Sequence, residues 1–133
     1  MKKIIFSLLF FSLLFIFTGC SSSDNSSSIK GTKWSKYTPE VVYTANWVVP
    51  AYYTFVEFTS ETDVTMYDGS ENGSPSGTIY NGKYVVIGNK ITVTGLTYNS
   101  WFLTDATING NALSMNGVVS GVTGNYSETF MKQ

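Results

Sequence analysis

The sequence contains no histidine, no arginine and a single cysteine, Cys20, and only 13% of its residues are charged. Without histidine the chain lacks the commonest general base and metal ligand. One cysteine excludes an internal disulfide. Six lysines and nine carboxylates follow the first nineteen residues, a net charge near −3, and those lysines are scattered. Phosphate binding needs clustered cations, so this balance argues against nucleic acid as a partner. The glycines fall singly at turn positions, and no phosphate-cradling loop is present. No window of eleven or more residues places apolar side chains at i, i+3, i+4 and i+7, so the expected fold has no helices after the N-terminal segment.

The N-terminus is the most informative stretch. Lys2-Lys3 precede an apolar run from Ile4 to Phe17, broken only by Ser7 and Ser12. A bilayer-spanning helix needs about 20 apolar residues, so this run suits a signal-peptide core rather than a permanent span. Phe17-Thr18-Gly19-Cys20 resembles the bacterial lipobox, in which an apolar residue and two small ones precede the cysteine that is lipidated and becomes the new N-terminus. The resemblance implies a signal peptide over 1–19, lipid on Cys20, and attachment to a membrane of the bacterial cell envelope, the outer membrane in the first place. At about 0.8 kcal/mol per buried CH₂, several acyl chains anchor a protein lastingly. Ser21 to Ser28 has no apolar residue to bury, so 20–28 reads as a lipidated cysteine followed by a flexible tether. Asp24 is a single-charge version of the acidic signal that follows the cysteine in surface-destined lipoproteins of Bacteroidota.

From residue 29 onward, runs of Thr, Tyr, Val, Ile and Phe alternate with Gly, Asn, Asp and Ser clusters, which predicts strands and tight turns. Strands are expected at about 32–38, 52–59, 63–68, 78–87, 90–94, 101–108, 112–115 and 125–132. Gly88-Asn89 and Asn109-Gly110-Asn111 supply the residues that tolerate the positive φ of close hairpins. Sequential strands joined this way are antiparallel neighbours, giving a meander. Val56 and Phe58, Val64 and Met66, Tyr84 and Val86, Ile91 and Val93, Leu113 and Met115, and Tyr126 and Phe130 mark an inner face. Tyr52–Phe58 and Trp101-Phe102-Leu103 are apolar on both parities, which means burial on both faces or an exposed aromatic patch. Eight short strands can form a two-sheet sandwich or close into a barrel, and closure is preferred because it removes exposed edges. Domain 29–133 is thus expected to be all-β, a single eight-stranded antiparallel meander barrel. The interior of such a barrel is just filled by side chains or just able to hold one small ligand.

Gly31-Thr-Lys-Trp34, Phe55–Val64, Gly82–Val93, Ile108–Leu113 and Thr129–Lys132 together resemble the small lipocalin-like, calycin-type lipoproteins of Bacteroidota, over nearly the whole mature domain. Gly31 and Trp34 stand where lipocalins open their first strand with Gly-x-Trp, here with one more residue between. The resemblance implies that Trp34 closes the base of the barrel. It implies no particular ligand, because such barrels host varied roles.

Pro39 to Pro50 is longer than a hairpin needs and carries Val41, Val42, Tyr43, Trp47, Val48 and Val49. Large apolar groups in such a connection either fold over the barrel mouth or face a partner. Tyr43 and Trp47, with Tyr98 and Trp101, are the candidate ligand-binding platform, on which a sugar ring or a lipid tail would stack. Sixteen aromatic residues follow Cys20, although small barrels spend many on their cores. Glycosidase chemistry needs two carboxyls about 5 to 9 Å apart, and Glu57, Glu61, Asp63, Asp68 and Glu128 are the carboxylates that come into question. With no histidine or arginine beside them, no enzyme is expected. Asp68–Gly73 gathers oxygen ligands but lacks the EF-hand spacing, so a solvated loop is expected and neither metal nor cofactor. The expected partners are the membrane, through Cys20, and a small apolar or glycan ligand held by a non-enzymatic barrel. The alternative is a solid barrel whose outer surface meets another envelope protein.

Overall fold

A computed structural model of the chain describes residues 28–119 and 124–133. The signal segment, Cys20 and the tether up to residue 27 lie outside the described residues. Eleven strands follow one another: β1 (Lys33–Thr38), β2 (Val41–Thr44), β3 (Trp47–Val49), β4 (Tyr52–Phe58), β5 (Asp63–Gly69), β6 (Tyr80–Ile87), β7 (Lys90–Thr94), β8 (Thr97–Tyr98), β9 (Trp101–Asn109), β10 (Ala112–Val119) and β11 (Asn125–Lys132). Among the described residues there is no helix. β1, β4, β5, β6, β7, β9, β10 and β11 pair in that order, every pair antiparallel, and β11 returns to β1. The ring is therefore a closed eight-stranded up-and-down barrel, compatible with a lipocalin-like fold, and not a sandwich.

Closure follows from the alternation. Every second residue of each wall strand points inward, and a one-residue slip would turn the whole apolar set to water. Val56 pairs with both Trp34 and Met66, Tyr84 with Val93, and Leu113 with Phe130, so the inner side chains of neighbouring strands fall side by side. Val56, Phe58, Val64, Met66, Leu113, Met115 and Phe130 are wholly buried. Trp34 is buried too, and its Nε1 donates to the Thr32 hydroxyl at 3.0 Å. It sits where the chain enters the first strand, beside Lys132, whose ammonium lies 5.9 Å from its ring centroid.

The two ends of the barrel differ. At the base, where β1 begins and β11 ends, the connections are short: 59–62, 88–89 and 110–111. At the mouth they are long: 39–51, 70–79 and 95–100. The 70–79 connection runs back over the outer wall, where Tyr67 Oη donates to the Gly73 carbonyl at 3.2 Å and Gly69 bridges Pro75. It helps to bury Phe55 and Tyr67 on the outer face, and the Lys33 ammonium lies 4.5 Å from the Phe55 centroid. This explains why β4 is apolar on both parities: its inner residues meet the core and its outer ones meet an aromatic cluster.

Two elements go beyond the eight expected strands. The 39–50 stretch forms a separate hairpin, β2–β3, which pairs only with itself. It does not fold over the mouth as a buried lid, since Val42, Tyr43, Trp47 and Val48 are 44–61% exposed. β8 pairs with the start of β9 through Asn99 and Ser100, both at positive φ, 46° and 71°. Positive φ at both central positions is the signature of a two-residue hairpin whose twist matches its strands.

Candidate functional site

The inner faces of β1, β4, β5 and β11 change character from base to mouth. On β1 the inward series is Trp34, Lys36, Thr38; on β4 it is Phe58, Val56, Thr54, Tyr52. On β5 it is Val64, Met66, Asp68, and on β11 it is Phe130, Glu128, Tyr126. The lower levels are apolar and close-packed, whereas the upper levels are polar and aromatic. Between the upper residues lies a cleft of about 230 Å³. Its walls include Lys36, Thr54, Tyr98, Trp101, Tyr126 and Glu128, and Phe130 lies beneath them.

Each group is held by its neighbours. Lys36 and Glu128 form an ion pair across the β1–β11 seam. Asp68 Oδ1 accepts from Tyr98 Oη at 2.6 Å and from Thr54 Oγ1 at 2.8 Å. Trp101 packs on Tyr126 with centroids 4.3 Å apart and planes at 42°, and Tyr80 meets Tyr98 edge-on at 5.3 Å. The Tyr80 hydroxyl donates to Asn99 Oδ1 at 3.0 Å, tying the β8–β9 hairpin to β6. Burial, then the hydrogen bond to Asp68, pushes the Tyr98 phenol well above its ordinary value. Burial and the nearby Glu128 do the same for Tyr126. Both phenols are therefore neutral donors over the whole physiological range.

The four candidate residues separate into two pairs. Tyr98 and Trp101 flank the Asn99-Ser100 reversal and line the cleft together. Tyr43 and Trp47 do not line it; they stack on each other at 4.5 Å and 24° on the β2–β3 hairpin, about 60% exposed each. That hairpin nevertheless springs from the rim, because Thr38 and Tyr52 on either side of it both border the cleft.

Lys36, Thr54 and Tyr126 were not legible as site residues, and Glu128 came into question only as one of five carboxylates. Their only sequence signal is polar side chains at inward parity, visible once strand register is known.

Of the five carboxylates, Asp68 and Glu128 are the two at inward positions of the mouth. Glu57 faces outward, bonded to Lys33 at 2.6 Å and to the Tyr67 hydroxyl, while Glu128 faces inward. Burial alone would raise the Glu57 carboxyl, but those two hydrogen bonds outweigh it and hold it below its usual range. Asp63 serves the 59–62 turn, bonding Ser60 and Lys83. In the 70–74 loop Asn72 Oδ1 accepts from the Ser70 hydroxyl and the Ser74 amide, so its oxygens serve the turn itself. Among the described residues no three acidic or cysteine side chains gather.

Two other hollows lie along the wall, one of about 270 Å³ beside Ile29 and Tyr84 at the base and one of about 420 Å³ beside the β9–β10 bulge. Each is lined by a single carboxylate and no cation. Among the described residues, the cleft at the mouth brings together an ion pair, hydroxyl groups and aromatic rings. Compared with family models, curated proteins and solved structures, the chain matches none, so what the cleft binds is read from its own chemistry.

Proposed function

We propose that the protein is an envelope lipoprotein, anchored through Cys20, whose lipocalin-like barrel is non-enzymatic and binds a small glycan at its mouth. The observation that carries this reading is the composition of the cleft. A lipid tail would take the partly exposed Lys36–Glu128 pair out of water and offer neither it nor the Tyr126 hydroxyl a hydrogen bond, at a cost of a few kcal/mol. A sugar offers hydroxyl groups to those partners and an apolar ring face to Trp101 and Tyr126. At about 230 Å³ the cleft lies below the usual range for drug-sized ligands, about 300 to 1,000 Å³, which suits one or two rings. Ile29 and the start of β1 lie at the base, the end of the barrel opposite the mouth.

Titration of the full-length chain in detergent micelles, with neutral sugars and with palmitate, tests the reading. Sugar binding that weakens at least tenfold in Trp101→Ala is expected. Palmitate binding with no response to any sugar would replace the glycan by an apolar ligand. Incorporation of labelled fatty acid into the wild-type chain and its loss in Cys20→Ala test the anchor.

The exposed β2–β3 hairpin supports a second reading, a contact for another envelope protein. Its apolar side chains are uncovered on both faces, and an isolated two-stranded hairpin is marginal in water. Trp47→Ala would then abolish partner capture and leave sugar titrations unchanged.

A further inference from the structure

We propose that the cleft sorts glycans by charge, favouring a sugar with a free ammonium group over a neutral one and rejecting a uronic acid. The inference rests on the reading of the mouth as a glycan site. Three charged side chains stand at inward positions around it: Lys36, Glu128 and Asp68. Lys36 and Glu128 neutralise each other. Asp68 has no cationic partner among the described residues, and its two hydrogen bonds, from Thr54 and Tyr98, come from neutral hydroxyls and both fall on Oδ1. Those two hydroxyl-bearing side chains form the cleft wall, so one uncompensated negative charge stands directly behind it.

The surrounding phenols do not offset that charge. Tyr98 and Tyr126 stay protonated, and Asp68 is among the groups that hold both phenols high. The ring faces act in the same direction, because an ammonium group is drawn to the negative face of Trp and Tyr. A carboxylate ligand would meet Asp68 and Glu128 with only the already paired Lys36 in its favour. A free cation at several ångströms from Asp68, in a half-solvated cleft at low salt, should bind roughly five- to tenfold more tightly than its neutral analogue.

The test uses the full-length chain in detergent at low ionic strength and slightly acidic pH, titrated with D-glucosamine, D-glucose and D-glucuronate. The expected order is glucosamine, then glucose, then glucuronate, with about five- to tenfold between the first two. In Asp68→Asn, which keeps an acceptor for Thr54 and Tyr98, the ratio of glucosamine to glucose affinity should collapse to within about twofold. Asp68 also supports the wall, so the salt dependence of the wild-type preference gives a second readout, expected to shrink the preference toward unity. Glucose and glucuronate binding equally well, or a preference that survives both Asp68→Asn and high salt, would overturn the charge inference alone. No binding of any of the three sugars would overturn the glycan reading and this inference with it.

Discussion

Alkaline pH should unfold this barrel earlier than its neutral-pH stability suggests. Tyr98 and Tyr126 are held above the ordinary phenol value of 10.0, by burial first and then by the carboxylates near them. In the unfolded chain both ionise near that ordinary value. Above it the unfolded state has released protons that the folded state retains, so stability falls as pH rises. The stabilising contribution is complete below the unfolded value and is lost on the way up to the folded ones. Each phenol gives a slope of about 1.4 kcal/mol per pH unit in that window, and the pair about 2.7. Two pH units then remove about 5 kcal/mol, the lower end of typical domain stability. Tyr67 and Tyr84, raised chiefly by burial, act in the same sense. So does Lys33: burial alone would lower it, but bonds to Glu57 and Tyr67 outweigh that and raise it, so its contribution is present below 10.5 and lost above. Urea midpoints measured in steps from about pH 8 to 12, with tyrosinate absorbance followed in parallel, give the slope directly. Tyr98→Phe should lower it by about 1.4 kcal/mol per pH unit. Midpoints that stay flat across this range, or nine tyrosines that all titrate near 10 in the folded protein, would refute the reasoning.

Two backbone positions give further expectations. A Cβ at Gly82 would lie 2.5 Å from Leu96 Cβ and 3.0 Å from its backbone, neither able to swing away, so Gly82→Ala should destabilise by about 1 to 3 kcal/mol in chemical denaturation. Ser100 holds a φ of 71°, which disfavours any side chain, so Ser100→Gly should raise stability by about 1 kcal/mol, read as a higher melting temperature.

The barrel was legible because its signal is repeated eight times. Each wall strand is a short alternating run between turn residues, and the observed bounds of β1, β4 to β7, β9 and β11 fall within two residues of those expected. β10 runs four residues beyond the expected 112–115, to Val119. In the fold Gly117 passes so close to Phe102 O that a Cβ would sit 2.6 Å away, so the glycine marks a bulge rather than an end. Of the candidate site residues, Tyr98 and Trp101 reach the cleft because a two-residue reversal sets them side by side. Tyr43 and Trp47 share their composition but not their register, and aromatic content alone does not tell an inward ring from an exposed one. Lys36 and Glu128, 92 residues apart, meet only because β11 closes onto β1.

That ion pair also separates what folds the barrel from what the cleft does. Both side chains are about one-third exposed and lie level with inner positions that an apolar pair would fill. Removing two charges from water costs more than their attraction returns unless further groups bond them, and apolar replacement of such pairs is often neutral or stabilising. Lys36→Met with Glu128→Leu should therefore leave the barrel as stable as before, or up to about 2 kcal/mol more so. Either change alone leaves one charge without its partner and should cost about 1 to 3 kcal/mol. The double variant should at the same time lose sugar binding, since the cleft keeps its rings but not the groups that hold hydroxyls. Denaturation midpoints for the four proteins of this cycle, beside a glucose titration, decide it. A double variant less stable than either single one would make the pair a structural fastening of the β1–β11 seam, and the polar mouth would then need no ligand to account for it.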